Sequence, residues 1–380
     1  MTETTYAKGL EGVIAAESAI CRIDGEKGQL YYMGYPITDL VEQCTFEEVT
    51  YLLLYGELPT AEQLASFSGR MRAARELPDP VIAMIRSFPE RAHPMELLQS
   101  VISYLSGNVE HQIHHGPHCN CRETLHQVAQ IATVVATYQR FREGKEYLAS
   151  RTDLSHGANF LYLLRGSEPS HEEGEMMDKA LVLHAEHSFN ASTFTARVVA
   201  STMSTCYCSI SAAIGSLFGS LHGGANEKVM AMVDEIGSAD RAEAWVHDAL
   251  DRKQKVMGMG HRVYRAKDPR AIVIEGFLSK LSDSTGDHTY LEILREVERV
   301  FRARMEEKGK PIYPNVDFFS GAVYRLLGIP SILFTPVFAM ARASGWLSHI
   351  LEQRIDNRIY RPKALYTGPE SRDVIPIEDR

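Results

Sequence analysis

The chain has 380 residues, 44% hydrophobic and 23% charged, with a formal net charge of −9. This length suffices for two domains or one large one, with a substantial core. The acidic balance excludes a general nucleic-acid binder, which needs a basic excess to neutralise phosphates. It does not exclude local basic clusters for a small anion. No uncharged apolar stretch reaches the length of a membrane span; the best candidate, 329–342, carries Pro330, Pro336 and Arg342. The opening MTETTYAKG has no apolar leader. Cys21, Cys44, Cys119, Cys121, Cys206 and Cys208 do not suggest a secreted disulfide framework in so long a chain. The expectation is a soluble, cytoplasmic protein.

In chain order, SAICRIDG and QLYYMGY flank Glu26-Lys27-Gly28 and read as a β-hairpin. Helix punctuation dominates thereafter. Thr45-Phe46-Glu47-Glu48 and Thr60-Ala61-Glu62-Gln63 are capping-box patterns, and Gly56 closes the first of these helices. Asp79-Pro80 places a cap before a first-turn proline, Pro94 opens a further helix, and Ser155 opens one ending at Gly166. Residues 178–203 read as one long helical segment, because polar residues interrupt its apolar run without strict alternation. SAAIGSLFG, NEKVMAMVDEIG, AEAWVHDALDRKQK, a helix opened by Asp268-Pro269 and an amphipathic 290–307 follow. KPIYPNVD must be extended, because Pro311 and Pro314 deny it helix. A helix to Gly328 and a last one opened at Thr335-Pro336 precede an irregular tail. The expected fold is all-α, with a small N-terminal β element.

Five places could carry chemistry. In SLHGGAN, His222 stands beside two glycines and before a helix whose positive end would disfavour imidazolium, leaving a neutral donor. The plain alternative is a histidine at an ordinary turn. In MGMGHRVYRAKDPR, His261 follows Gly258 and Gly260, and Arg262, Arg265, Lys267 and Arg270 cluster behind it, with Lys253 and Lys255 upstream. This is a local anion site or a solvated face. In IYPNVDFFSG, desolvation against Phe318 and Phe319 would raise Asp317 toward a general base; alternatively it is a helix cap. Arg342 lies in an almost wholly apolar helix and either meets an anion or snorkels. His184 and His187, one turn apart, lack the order of a zinc HExxH and read as hydrogen-bonding groups on one helix face.

One tract stands apart. His111, His114, His115, His118, Cys119, Cys121 and His126 crowd into 111–126, a composition that can bind zinc or copper, or form a solvated loop. Cys206 and Cys208 read as packing.

LHAEHSFNASTF, GSLHGGANE, GHRVYRAKDPR, YPNVDFFSG and the TPVFAMARASGW helix together resemble the citrate synthase family in its shorter bacterial and archaeal type. The resemblance runs from GLEGVIAAESAICRIDGEKG to RPKALYTGP, with the motifs in family order. It implies an all-α homodimer, or a higher oligomer, acting on oxaloacetate and an acyl-CoA without metal or prosthetic group. It implies a small domain at 223–322 inserted between large-domain parts at 1–222 and 323–380. The matching positions imply Asp317 as base, His222 as donor to the thioester oxygen and His261 as donor to the oxaloacetate carbonyl. His187, Arg270 and Arg342 would hold oxaloacetate, with Arg361 supplied by the partner subunit. Arg265, and less directly Lys253, Lys255, Arg262 and Lys310, would meet CoA.

The chain departs from the family pattern at the His/Cys tract, at Ser220 and at SerThrCysTyrCys, none of which removes a catalytic position. A 2-methylcitrate synthase is the nearest alternative, since one extra methylene discriminates only ~1–3 kcal/mol. GHRVY leans toward citrate. Remoter alternatives are a non-catalytic CoA or oxaloacetate binder, and a metal sensor or carrier built on the His/Cys tract.

Overall fold

The computed structural model describes residues 6–108 and 122–380. Cys119, Cys121 and most of the His/Cys tract, with the metal-binding expectation placed on it, lie outside the described residues. The N-terminal β element is a three-stranded antiparallel sheet of β1 (Cys21–Asp24), β2 (Gln29–Tyr32) and β3 (Tyr35–Pro36). Its first turn closes as the Lys27 N–H donates to Asp24 Oδ1 at 3.1 Å. β3 was not anticipated, because two residues carry no alternation to read.

The rest is helical. α1 (Ile37–Gln43), α2 (Phe46–Tyr55), α3 (Ala61–Ala73), α4 (Asp79–Ser87) and α5 (Pro94–Leu105) come first. Thr45–Glu48 and Thr60–Gln63 form the expected reciprocal capping boxes. At α4 the cap shifts one residue: Pro78 precedes the helix and Asp79 lies in its first turn. α6 (Arg122–Arg142), not picked out in the sequence, is followed by α7 (His156–Arg165), which is capped by Ser155 and ended by a left-handed Gly166.

The expected single helix over 178–203 is instead two, α8 (His171–His184) and α9 (Ala191–Ser201). The break has a local cause. Ser188 adopts φ +53°, and Asn190 caps α9 by accepting from the Thr193 N–H at 3.0 Å. An asparagine side chain offers the backbone an alternative to helix. α10 (Cys206–Phe218), α11 (Ala225–Ile236), α12 (Ala239–Asp251), α13 (Pro269–Thr285), α14 (Thr289–Glu306), α15 (Asp317–Leu326) and α16 (Phe334–Ile355) complete the chain, before an exposed tail.

α16 is the central post, with α2, α6, α8, α9 and α10 packed around it. Trp346, Leu347 and Ile350 are wholly buried. A helix covered on most sides has no need of an amphipathic stripe, which is why most of its sequence is apolar. α11 to α15 pack on one another, with α13 also touching α1 and α8 and α11 touching α16. No helix among the described residues is long and apolar enough to cross a membrane.

Candidate active site

The break between α8 and α9 creates the first part of the site. Leaving the helix at His184 turns the chain so that His187 Nε2 lies 3.2 Å from the Tyr264 hydroxyl. His184 and His187 therefore do not share a helix face. His184 is a core residue whose Nδ1 donates to the Ala180 carbonyl at 2.8 Å, and burial holds its pKa near 3. Burial also keeps His187 well below the usual imidazole range, helped by the nearby Arg270.

His222 sits in the loop between α10 and α11. The Ser192 backbone N–H points at its Nε2 at 3.1 Å. A backbone N–H can only donate, so Nε2 accepts and the imidazole proton sits on Nδ1. Trp346 Nε1 donates to Ser192 Oγ at 3.1 Å, steadying this contact from α16. Burial, with Arg342 adding to it, depresses the His222 pKa to about 4. Desolvation is the leading cause and favours the neutral imidazole.

His261 is the mirror case. The Val263 and Tyr264 N–H groups point at its Nδ1 at 3.0 and 3.3 Å. Nδ1 accepts, and the proton sits on Nε2. Burial first, then Arg270, depresses this pKa to about 4, against the opposing pull of Asp268. The rings of His187 and Tyr264 lie 5.2 and 4.7 Å from that of His261.

The extended stretch before α15 is laced to the glycine loop carrying His261. The Gly260 N–H donates to Tyr313 O at 2.8 Å and the Asn315 N–H to Gly258 O at 2.9 Å. Asn315 Nδ2 donates to Gly260 O at 2.9 Å, while its Oδ1 accepts from the Asp317 N–H at 2.9 Å. One asparagine thus ties the histidine loop to the first residue of α15. Gly258 is needed here on two counts: its φ is +76°, and a Cβ would lie 2.8 Å from Phe318 Cα.

Asp317 is that first residue; Val316 occupies the cap position and Asn315 supplies the capping side chain. Burial raises the Asp317 pKa to about 6, although Arg270 and Arg342 pull it down. Arg270 is buried and held by Asp268 through Nε–Oδ1 at 3.0 Å and Nη2–Oδ2 at 2.7 Å. Asp268 Oδ1 also accepts the Arg270 N–H at 3.0 Å, capping α13. Arg342 is 1% exposed, so it does not snorkel. Its Nε donates to His184 O at 2.7 Å and its guanidinium stacks over Phe338. Its terminal nitrogens are not consumed by that bond.

His187, His261, Arg270, Asp317 and Arg342 are thereby gathered, with His222 within the field of Arg342. The remaining sequence candidates are exposed. Arg361 is on the exposed tail. The Arg265 N–H donates to Gly25 O in the hairpin turn at 2.9 Å, while its side chain is exposed. Arg262 meets Glu11 at 3.8 Å on the surface, and Lys253, Lys255 and Lys310 are exposed. Sequence reasoning missed Tyr264, Asn315, Ser192, Trp346 and the pairing role of Asp268. The two-residue spacings Asp268–Arg270 and Asn315–Asp317 at helix starts were legible signals; Ser192 and Trp346 had none.

Comparison with known proteins follows the same line. The family model described as "Citrate synthase, C-terminal domain" matches residues 9–363. The citrate synthase of Deinococcus radiodurans is 46% identical over 99% of this chain and 100% of its own. The 2-methylcitrate synthase 2 of Corynebacterium glutamicum is 42% identical, with 100% and 99% covered. The solved Thermoplasma acidophilum citrate synthase, in ternary complex with carboxymethyl coenzyme A and oxaloacetate, superposes with a TM-score of 0.92 at 33% identity, covering 99% and 100%.

Proposed function

The chain belongs to the citrate synthase family and is a transferase of the citrate synthase type, and from that premise we propose that Asp317, His222 and His261 condense oxaloacetate with acetyl-CoA. The observation that carries this reading is the pair of neutral histidines with opposite tautomers, each set by backbone donors, beside a carboxylate of raised pKa.

A thioester methyl is a weak carbon acid, so its proton must leave as charge builds on the oxygen. Asp317, ionised above its pKa of about 6, takes the methyl proton. The Nδ1–H of His222 donates to the thioester oxygen and stabilises the enol or enolate. The nucleophilic carbon then attacks the oxaloacetate carbonyl carbon, while the Nε2–H of His261 donates to the carbonyl oxygen as it becomes a hydroxyl. Water cleaves the resulting citryl-CoA to citrate and CoA. The methyl proton taken by Asp317 is returned to His261 in place of the one it gave up, and water supplies its hydroxyl to the acyl carbon and its proton to the leaving CoA sulfur, so the reaction as proposed balances without a metal or prosthetic group.

His187, Arg270 and Arg342 bind oxaloacetate in this reading, since planar guanidinium groups suit its two carboxylates. Arg361 completes the site from the partner subunit of a homodimer. Exposed Ile359, Leu365, Tyr366 and Val374 on the same tail support a second subunit, which would cover them. Arg265, with Lys253, Lys255, Arg262 and Lys310, would meet the phosphates of CoA. Residues 223–322 form the small domain, closing over oxaloacetate to exclude water. The cytoplasm is the proposed compartment.

The test is thioester loss, followed by absorbance, from acetyl-CoA and propionyl-CoA with and without oxaloacetate. Oxaloacetate-dependent turnover favouring acetyl-CoA is expected. Preference for propionyl-CoA would make the chain a 2-methylcitrate synthase, the activity named for the Corynebacterium relative. No turnover in folded protein would overturn the catalytic reading.

A further inference from the structure

Glu186 immediately precedes His187, and it and His349 of α16 are wholly buried. His349 Nε2 lies 2.9 Å from Glu186 Oε1. On the other side of the ring, Arg197 Nη1 lies 3.1 Å from His349 Nδ1. A guanidinium nitrogen has no acceptor capacity, so Nδ1 accepts and the His349 proton is directed at Glu186. The same Nη1 donates to Glu352 Oε2 at 2.6 Å, and Arg197 Nε donates to Gln353 Oε1 at 3.1 Å. Glu352 Oε1 in turn accepts the Ala19 N–H at 2.8 Å. The chain of bonds runs Glu352, Arg197, His349, Glu186, and its inner end is the loop carrying His187.

Arg342, Gly345, His349, Glu352 and Gln353 follow one another along α16 at three- and four-residue steps or side by side, so they share one face. Glu186 is pressed against that face: a Cβ on Gly345 would lie 2.3 Å from Glu186 Oε2. Oε2 has no hydrogen-bond partner among the described residues. The negative charge of Glu186 supports the charge of Arg342, which burial opposes. The Glu186 backbone is clasped as well, its N–H donating to the Tyr32 hydroxyl at 3.2 Å.

We propose that His349, fixed by Arg197, is a positioning residue for oxaloacetate binding: its hydrogen bond to Glu186 holds the loop carrying His187 against α16 and keeps a counter-charge beside Arg342. This rests on the reading that His187 and Arg342 hold oxaloacetate. His349 touches no substrate and acts only through Glu186. Its loss therefore weakens oxaloacetate capture and spares the chemical step once the site is filled.

Four full-length variants test this: His349→Leu, His349→Gln, Glu186→Gln and, as control, Arg342→Leu. With His349→Leu the KM for oxaloacetate rises by about tenfold or more, while kcat at saturating oxaloacetate stays within about threefold. Glutamine places an amide N–H near the position of Nε2, so His349→Gln returns the KM to within about threefold of the parent. Glu186→Gln, nearly isosteric but uncharged, raises the oxaloacetate KM as His349→Leu does. An unchanged oxaloacetate KM in folded His349→Leu, or leucine and glutamine variants equally impaired in kcat, overturns the positioning role. Should His349→Leu fail to fold, by circular dichroism, Glu186→Gln decides alone: an unchanged KM overturns the proposal. Oxaloacetate binding unaffected by Arg342→Leu overturns the underlying site reading instead.

Discussion

Asp317 is both the most exacting side chain of the site and the most testable. Its carboxyl group is pushed up to about 6 by burial, while His222 and His261 are pushed down to about 4. A base works deprotonated, so kcat/KM falls as pH drops through about 6. The histidines remain neutral through that window and add no limb of their own until pH approaches 4. A pH profile with an acid limb near 4 and none near 6 would refute the assignment of Asp317 as base. Asp317→Ala is expected to lower kcat by about a thousandfold or more, the scale of a lost general base, with oxaloacetate binding retained by calorimetry. Activity within tenfold of the parent would remove Asp317 from that role. Arg342→Leu does the reverse, weakening oxaloacetate binding by about a hundredfold, as loss of a buried charged partner does. The type and spacing of these side chains were legible in the sequence. The tautomer of His222 was not, because the donor that sets it is the Ser192 N–H, thirty positions away.

At the scale of elements, punctuation was the most readable layer. Thr45–Glu48, Thr60–Gln63, Ser155 and Gly166 act where their residue types said they would. These are local bonds between neighbours, and sequence adjacency suffices to form them. Thr45→Ala should cost about 1 kcal/mol in denaturant unfolding and leave activity intact. The split of α8 from α9 was misread because hydrophobic spacing continues across it. Only the left-handed Ser188 and the cap at Asn190 interrupt it. The bonds between the 258–260 loop and residues 313–315 were likewise illegible, since more than fifty residues separate the partners. Gly258→Ala tests this lacing. A Cβ there meets Phe318 Cα at 2.8 Å, which must displace the start of α15. The expected outcome is a drop in kcat with lost thermal stability; a variant with unchanged kcat would show that the lacing does not position Asp317.

At the scale of the molecule, a second buried polar cluster bears on stability. Asp178 of α8 accepts the Gly157 N–H at 2.6 Å, and Arg75 lies 3.7 Å from Glu47 nearby. Burial, with Glu47 adding repulsion, raises the Asp178 pKa to about 7. The folded state thus holds a proton that the unfolded chain, with an ordinary Asp near 3.9, has released. Stability from this group falls as pH rises from about 4 to about 7. Asp178→Asn should therefore raise Tm more at about pH 8 than at about pH 4.5, by differential scanning calorimetry. Equal shifts at both would show that Asp178 is ionised throughout.

By itself the sequence determined the all-α class, the small β element, most helix ends and the residue types of the chemistry. Each of these follows from side-chain period, capping residues and prolines acting within a few positions along the chain. Tertiary structure alone decided which nitrogen of His222 carries a proton, how far Asp317 is raised, and that Asn315 ties the glycine loop at 258–260 to the start of α15. Those properties depend on desolvation and on donors brought from distant elements. A linear chain contains the participants in such contacts but not the distances between them.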